Sequence, residues 1–388
     1  MTDFGDYFRE IYARGLIGED PSVPISVAEL EGAAHEAMED RAAAYVFAGA
    51  GGEDTMRANL DAFRRRRIVP RMMRDVADRD LSCTVLGTAM PAPVMLAPIG
   101  IHKIVHEDGE PATARAAARV GLPLIASTAS HATLEEIAEA SGDGRRWFQF
   151  YWPGDEEIAA SIVRRAEAAD YSAIVLTVDT FIPGWKPRDL QRAWLPFLEG
   201  IGNANFFQDP VFRSQLEKTP EEDPGAATGH FVGVYVNPSL TWDKLAQLRE
   251  MTELPIVVKG ILHPDDAREA VERGADGVLV SNHGGRQIDG EIASLDALPA
   301  VVEAVGERAT ILLDSGVRGG ADVFKALALG ADAALVGRPY LWGLALDGEA
   351  GVEAVLRMLL AEFDLTMALS GHTRPDELGP EDLAPEPG

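Results

Sequence analysis

The chain is nearly without cysteine, poor in lysine and free of long apolar runs, and each shortage removes a class of protein. Cys83 is the only cysteine in 388 residues; an intramolecular disulfide is impossible and a CxxC-type metal site is absent, so no metal is expected. The longest apolar stretches, such as residues 91–101, are too short and proline-rich to span a bilayer, so no membrane partner is expected. The opening residues MTDFGDYFRE hold neither the basic nor the apolar region of a secretion signal, which makes a cytoplasmic location the expectation. Positive charge is scarce as well: 62 acidic residues face 35 Lys and Arg, for a formal net charge of −27. Such a chain repels nucleic acid and anionic lipid. An acidic, lysine-poor surface suits a salt-rich cytoplasm, and equally a surface that is simply acidic. The short run RRRR at 64–67 reads as a solvated or interface face rather than a nucleic-acid patch.

What is present is enough for a large core. Hydrophobic residues make up 46% and charged residues 25%, ordinary values for a globular protein. Residues 1–90 read as a helical segment, with one helix over about 27–46 starting near Ser26. Over 91–388 the pattern alternates. Apolar runs occur at 94–97, 123–126, 147–150, 173–178, 255–258, 276–281, 310–314 and 333–336. Helical spacing follows at 110–119, 133–140, 155–168, 240–252, 264–273, 295–304, 320–328 and 347–370. Continuous apolar strands are what a parallel sheet buried on both faces requires. Eight strand–helix repeats predict an α/β fold closed into a (β/α)8 TIM barrel. A doubly wound sheet is the competitor, but its GxGxxG fingerprint after the first strand is missing. Between the fourth strand and the next helix, residues 180–239 form a connection out of proportion, read here as a partly mobile active-site lid.

Catalytic groups of such barrels gather at the C-terminal ends of the strands. Those ends carry Ser127; Gln149 and Tyr151; Thr177 and Asp179; Lys259; Ser281 and His283; Asp314; and Gly337 with Arg338. The segment SNHGGRQ (281–287) puts a proton acceptor, His283, beside a carboxylate-binding fork, Arg286. A lone loop histidine is usually structural; the nearby arginine, and Asp179 on a neighbouring strand to orient an imidazolium, favour a base. Asp179 has the alternative of a helix cap or loop hydrogen bond. Lys259 ends a strand with no other charge, where it would stabilise a reduced cofactor or, as in aldolase-type barrels, form a Schiff base. DSGVRGG (314–320) and GRP (337–339) offer glycine backbone N–H groups, helix N-termini and two arginines, a pattern for phosphate.

LAPIG (96–100), STAS (127–130), FQFYW (148–152), LTVDT (176–180), VVKGI (257–261), VSNHGGRQ (280–287) and the run from Leu312 to Tyr340 closely resemble the FMN-dependent 2-hydroxy acid oxidases and dehydrogenases, over nearly the whole chain. GDYFREIYARGLIG (5–18), GWKPRDL (184–190) and PFLEGIGNANFFQDPVF (196–212) are most similar to the lactate 2-monooxygenase subgroup. The resemblance implies that His283 is the base and Asp179 its partner. It implies Arg286 as a carboxylate clamp, and Tyr45 and Tyr151 as hydrogen-bonding partners of the substrate. FMN contacts are implied for Pro98, Ile99, Gly100, Ser127, Gln149, Thr177 and Ser281. Lys259 is implied beside the flavin ring, and Asp314, Gly316, Arg318, Gly337 and Arg338 at the ribityl and phosphate end. One position departs: Lys186 stands where the family has a second carboxylate arginine, and a point charge is no substitute for a fork. Arg188, two residues on, is a possible compensation.

The implied activity is oxidation of a small L-2-hydroxy acid, with O2 as the oxidant of reduced FMN. If the 2-oxo acid stays bound, lactate and O2 give acetate, CO2 and water; if it leaves first, the products are the 2-oxo acid and H2O2. Three other outcomes stand beside these. A dehydrogenase feeding a quinone or cytochrome would need a membrane segment or extra domain. An FMN-dependent isomerase on the same barrel would not need the His283–Arg286 pair. A flavin-binding protein without catalysis is the third. The resemblance also implies a homo-oligomer, a tetramer or octamer.

Overall fold

The computed structural model describes residues 4–385; the reading of the first residues as leaderless falls partly on 1–3, outside them. Helices α1 (Tyr7–Gly15), α2 (Val27–Ala37), α3 (Asp40–Phe47) and α4 (Asp54–Arg65) come first. The single helix expected over 27–46 is therefore two. Met38 and Glu39 adopt extended backbone between them, at ψ 147° each, with Met38 buried. No glycine or proline marks that break, so the sequence pattern runs through it. A short antiparallel hairpin follows, β1 (Cys83–Val85) with β2 (Thr88–Met90).

Eight parallel strands then close on themselves: β3 (Val94–Leu96), β4 (Leu124–Ser127), β5 (Arg146–Phe150), β6 (Ile174–Thr177), β7 (Ile256–Ile261), β8 (Gly277–Val280), β9 (Thr310–Leu313) and β10 (Ala333–Val336). Closure is made by β10 on β3, with Ala334 opposite Val94 and Val336 opposite Leu96. The fold is a (β/α)8 TIM barrel, each strand lying within a few residues of a predicted run. Helices α5 (Gly109–Val120), α6 (Leu134–Ser141) and α7 (Glu156–Ala168) follow the first three strands. Residues 180–239, expected as a loop, hold four short helices: α8 (Pro187–Arg192), α9 (Ala204–Phe207), α10 (Pro210–Ser214) and α11 (Pro224–Tyr235). The outer ring is completed by α12 (Asp243–Met251), α13 (Pro264–Glu272), α14 (Ser294–Val305), α15 (Gly320–Ala328) and α16 (Arg338–Ser370). The last begins a turn or more before the expected 347 and breaks at Asp347 and Gly348, whose dihedrals leave the helical region.

The two faces of the strands bury different cores. Val94, Leu96, Leu124, Phe148, Ile174 and Val258 pack outward against the helices. Met95, Ile125, Trp147, Val175, Val257, Leu279, Leu312 and Leu335 fill the barrel interior, which Val85 and Met90 of the hairpin close at its N-terminal end. Trp147 donates its indole N–H to Thr88 of that hairpin at 2.9 Å, so even the barrel floor has its buried donor satisfied. Among the described residues no helix is long and apolar enough to cross a membrane.

Candidate active site

Side chains alternate along a strand, so the residue two beyond an inward apolar residue also faces inward, one layer higher. Ile125 leads to Ser127, Trp147 to Gln149, Val175 to Thr177, Val257 to Lys259, Leu279 to Ser281 and Leu312 to Asp314. The apolar barrel is thus capped by a polar layer at its C-terminal end. These groups satisfy one another: Ser127 Oγ donates to Gln149 Oε1 at 2.9 Å, and Gln149 Nε2 to Thr177 Oγ1 at 3.0 Å.

Above that layer His283 Nδ1 lies 2.8 Å from Asp179 Oδ1, which fixes the ring and leaves Nε2 for the pocket. The turn carrying it is held open by backbone: His283, Gly284 and Gly285 have φ of +56°, +67° and +74°. Its base is anchored by Asn282, whose amide pairs reciprocally with Asn59 of α4 at 2.8 Å. Gly260, at φ +105° in a bulge of β7, gives Asp179 its room; a Cβ there would sit 2.6 Å from the Asp179 Cβ. Burial pushes His283 below the ordinary histidine value, outweighing the pull of Asp179, so the imidazole rests neutral. Burial opposes ionisation of Asp179, yet His283 and Lys259 hold it far below the usual carboxylate range. Lys259, 3% exposed, reaches Ser281 Oγ at 3.0 Å, Asp179 Oδ2 at 3.4 Å and Asp314 Oδ2 at 3.7 Å. Burial would lower it, but the two carboxylates raise it above the ordinary lysine value. A Schiff-base lysine needs a free amine, so the aldolase-type alternative does not fit this ammonium.

The N-terminal segment builds the opposite wall. The C-terminal carbonyls of α3 and the residue after it are free for outside donors. Arg286 Nη1 donates to Tyr45 O at 2.8 Å and Ala48 O at 2.7 Å, and its guanidinium lies 5.1 Å from the Tyr45 ring centre. Arg338 donates to Val46 O, Ala48 O and Gly284 O at 3.1–3.3 Å. Burial and the facing Arg318 and Arg286 depress Arg338 to about 9. Half-buried guanidinia that repel each other call for an anion.

From the inserted segment come Thr180, Lys186, Phe197, Phe231 and Tyr235. Lys186 is half-buried and donates to Gly184 O at 3.2 Å; burial, then Arg286, lower its pKa. Arg188 turns outward to Glu53 at 2.7 Å and does not replace the missing fork. Tyr235 packs 5.7 Å from the Tyr151 ring, and burial raises both phenols. The sequence reading missed Tyr235, which sits far along a long insertion without a motif. It also missed Thr180, whose hydroxyl is 2.9 Å from Asp179 Oδ1 and 3.1 Å from His283 Nδ1.

One cavity of about 360 Å³ joins these parts. Of the predicted residues, it is lined by Tyr45, Pro98, Ile99, Gly100, Ser127, Tyr151, Lys186, Lys259, His283, Arg286, Asp314, Gly316, Arg318, Gly337 and Arg338. Gln149, Asp179 and Ser281 stand directly behind the wall, bonded to lining residues, and Thr177 stands behind Gln149, whose amide donates to it. The cradle fits FMN: two half-buried guanidinia at one end, apolar Ala97–Gly100 along the side, and an ammonium among carboxylates in the middle.

Fold and site together define an α/β-barrel enzyme that grips a phosphorylated cofactor beside a small carboxylate. The model of the FMN-dependent dehydrogenase family matches residues 34–385, and the chain belongs to that family. It is 46% identical over 353 residues to an L-lactate oxidase of Lysinibacillus sphaericus, covering 90% of each chain. It is 46% identical over 330 residues to mouse 2-hydroxyacid oxidase 1, covering 84% of this chain and 87% of that one. The solved structure of a mandelate oxidase superposes with a TM-score of 0.82 at 38% identity, covering 93% of this chain and 98% of the other. The protein is an FMN-dependent 2-hydroxy acid oxidoreductase.

Proposed function

We propose that the substrate is a small L-2-hydroxy acid, lactate first, and that the overall reaction is the lactate 2-monooxygenase type: lactate and O2 to acetate, CO2 and water. The observation that carries the oxidation is the neutral His283, hydrogen-bonded behind to Asp179, sharing one cavity with Arg286 and Lys186. Arg286 and Lys186 hold the carboxylate, while Tyr45 and Tyr151 flank the hydroxyl and carboxylate. His283 takes a proton at Nε2, and Asp179 steadies the imidazolium that forms. Bound FMN supplies the two-electron acceptor. Pro98, Ile99, Gly100, Ser127, Gln149, Thr177 and Ser281 would hold its ring and upper chain. Asp314, Gly316, Arg318, Gly337 and Arg338 would hold its ribityl and phosphate end, with the Lys259 ammonium against the ring.

The lid decides the fate of the product. Residues 180–239 contribute Leu195, Phe197, Phe231, Val232, Tyr235 and Val236 to the cavity wall, a cover suited to keep the oxo acid in place while oxygen reacts. Similarity to proteins named L-lactate oxidase and 2-hydroxyacid oxidase favours a second reading, release of the oxo acid with H2O2. Acetate against free peroxide, measured during aerobic lactate turnover, separates them; stoichiometric peroxide overturns the first. We also propose a homo-oligomeric, cytoplasmic protein, in keeping with the exposed Tyr12, Leu16 and Ile17 of the N-terminal segment, at 74%, 89% and 74%.

A further inference from the structure

We propose that Trp342 is a positioning residue for the cofactor: its indole face holds the Arg318 guanidinium in the pose that meets the FMN phosphate, and so sets the site's preference for a phosphorylated flavin. This rests on the reading above that Arg318 lies at the phosphate end. Trp342 is 0% exposed, and the Arg318 guanidinium lies over its ring, 5.2 Å from the centre. The ring is itself fixed from another element. Phe47, the last residue of α3, lies nearly parallel to it, with 7° between the planes and 6.1 Å between the centres.

The half-buried guanidinium needs such a platform because little else holds it. Among the described residues its side chain makes one hydrogen bond, from Nη1 to the adjacent Val317 O at 3.1 Å, and no ion pair with a carboxylate. Its other N–H groups are left for an anion in the cavity that Arg318 lines. A flat face restricts the arginine rotamers before that anion arrives, so binding loses less entropy. The choice of an indole is informative. Its N–H has no hydrogen-bond partner among the described residues, although buried donors normally have one. Leucine or phenylalanine would fill apolar space without that cost, so packing alone does not call for tryptophan. Tryptophan is the aromatic side chain that attracts a cation most strongly. Trp342 also stands four residues after Arg338 on α16, on the same face one turn along. One helix end thus carries one guanidinium and the platform for the other. Phe47 sits between Val46 and Ala48, whose carbonyls accept from Arg338, so the end of α3 steadies both.

The test exchanges flavins on the FMN-loaded protein. Equilibration with excess riboflavin, then ultrafiltration and chromatography of the bound flavin, gives the ratio of FMN to riboflavin affinity. Riboflavin lacks the phosphate, so a general loss of packing weakens both flavins together and leaves the ratio alone. Trp342→Met removes the ring with a flexible filler, and Trp342→Phe keeps a smaller ring. The ratio should fall about tenfold in Trp342→Met, the scale of one desolvated cation–π contact, and about two- to threefold in Trp342→Phe. Where Trp342→Met does not fold, Trp342→Phe decides. In an Arg318→Gln background the same substitutions should move the ratio little, because the cation they face is gone. A ratio unmoved by substituting Trp342, or a fall just as large without Arg318, overturns the proposal alone. A wild-type ratio near one overturns the reading of Arg318 as a phosphate residue, and the role of Trp342 with it.

Discussion

In the proposed mechanism a single imidazole sets the acid limit of this site. His283 must be neutral to accept a proton, and burial holds its pKa below the ordinary value, although Asp179 pulls the other way. The rate of anaerobic flavin reduction by lactate is therefore expected to stay level from neutral pH to below about 6.5 and to fall only at lower pH. A rate already halved at pH 7 would contradict the neutral resting base. The same shifts act on stability with one sign. His283 and Asp179 are both depressed in the fold, so the unfolded chain takes up these protons first and stability drops on acidification. In the same proposal Lys186 sets a different limit, on affinity. Its ammonium makes one hydrogen bond, to Gly184 O, and lacks the fork that grips both carboxylate oxygens. Lys186→Arg should lower the KM for lactate about tenfold, roughly 1.4 kcal/mol, with a smaller change in kcat; an unchanged or raised KM in steady-state assays would show that the cavity is shaped around the lysine. At this scale the sequence was most legible where type and position agreed: His283, Arg286 and Lys259 stand at strand ends or in a glycine turn. It was silent on Thr180 and Tyr235, because nothing in a lone threonine or a lid tyrosine announces its neighbours.

The elements that carry these residues were readable in proportion to their length. Barrel strands buried on both faces leave unbroken apolar runs, and all eight stand near their predicted positions. The β1–β2 hairpin was not anticipated, since three-residue strands give no period, although it closes the barrel floor. Helices α8 to α11, none longer than 12 residues, vanish into a segment that reads as loop. The split between α2 and α3 was equally invisible, yet it starts a new axis whose end delivers Tyr45 and the carbonyls that hold Arg286 and Arg338. The N-terminal segment is therefore part of the site, not merely packing against it. The loop after β3 makes a sharper claim. A Cβ on Gly100 would lie 2.4 Å from the Ala129 backbone oxygen after β4, and neither chain has a flexible side chain to yield. Gly100→Ala should push these two loops apart, costing about 1–3 kcal/mol of stability as overpacking does. FMN should bind more weakly in the same variant, read by the free cofactor passing an ultrafiltration membrane; unchanged melting and retention would mean the loops shift freely.

For the whole molecule, charge is the dominant feature. A net charge of −27 on 388 residues is self-repulsive in the compact state, and salt screens that repulsion with a Debye length near 10 Å at 0.1 M. Many acids are nonetheless paired at the surface, as Glu349 is with Arg115 and Arg119, and salt weakens those pairs. Exposed pairs contribute little each, typically under about 1 kcal/mol, whereas repulsion sums over the unpaired excess of 62 acids against 35 bases. The excess should win. The melting temperature of the FMN-loaded protein is expected to rise steadily as KCl is raised from about 0.01 M through 0.1 M to 1 M, over which the Debye length shrinks from roughly 30 to 3 Å. In the proposed site the flavin phosphate is held by the half-buried Arg318 and Arg338, so retention of FMN should change little over the same range. A flat melting curve would reduce the acidic surface to a matter of solubility, and cofactor loss at high salt would show that the phosphate end is open to solvent ions.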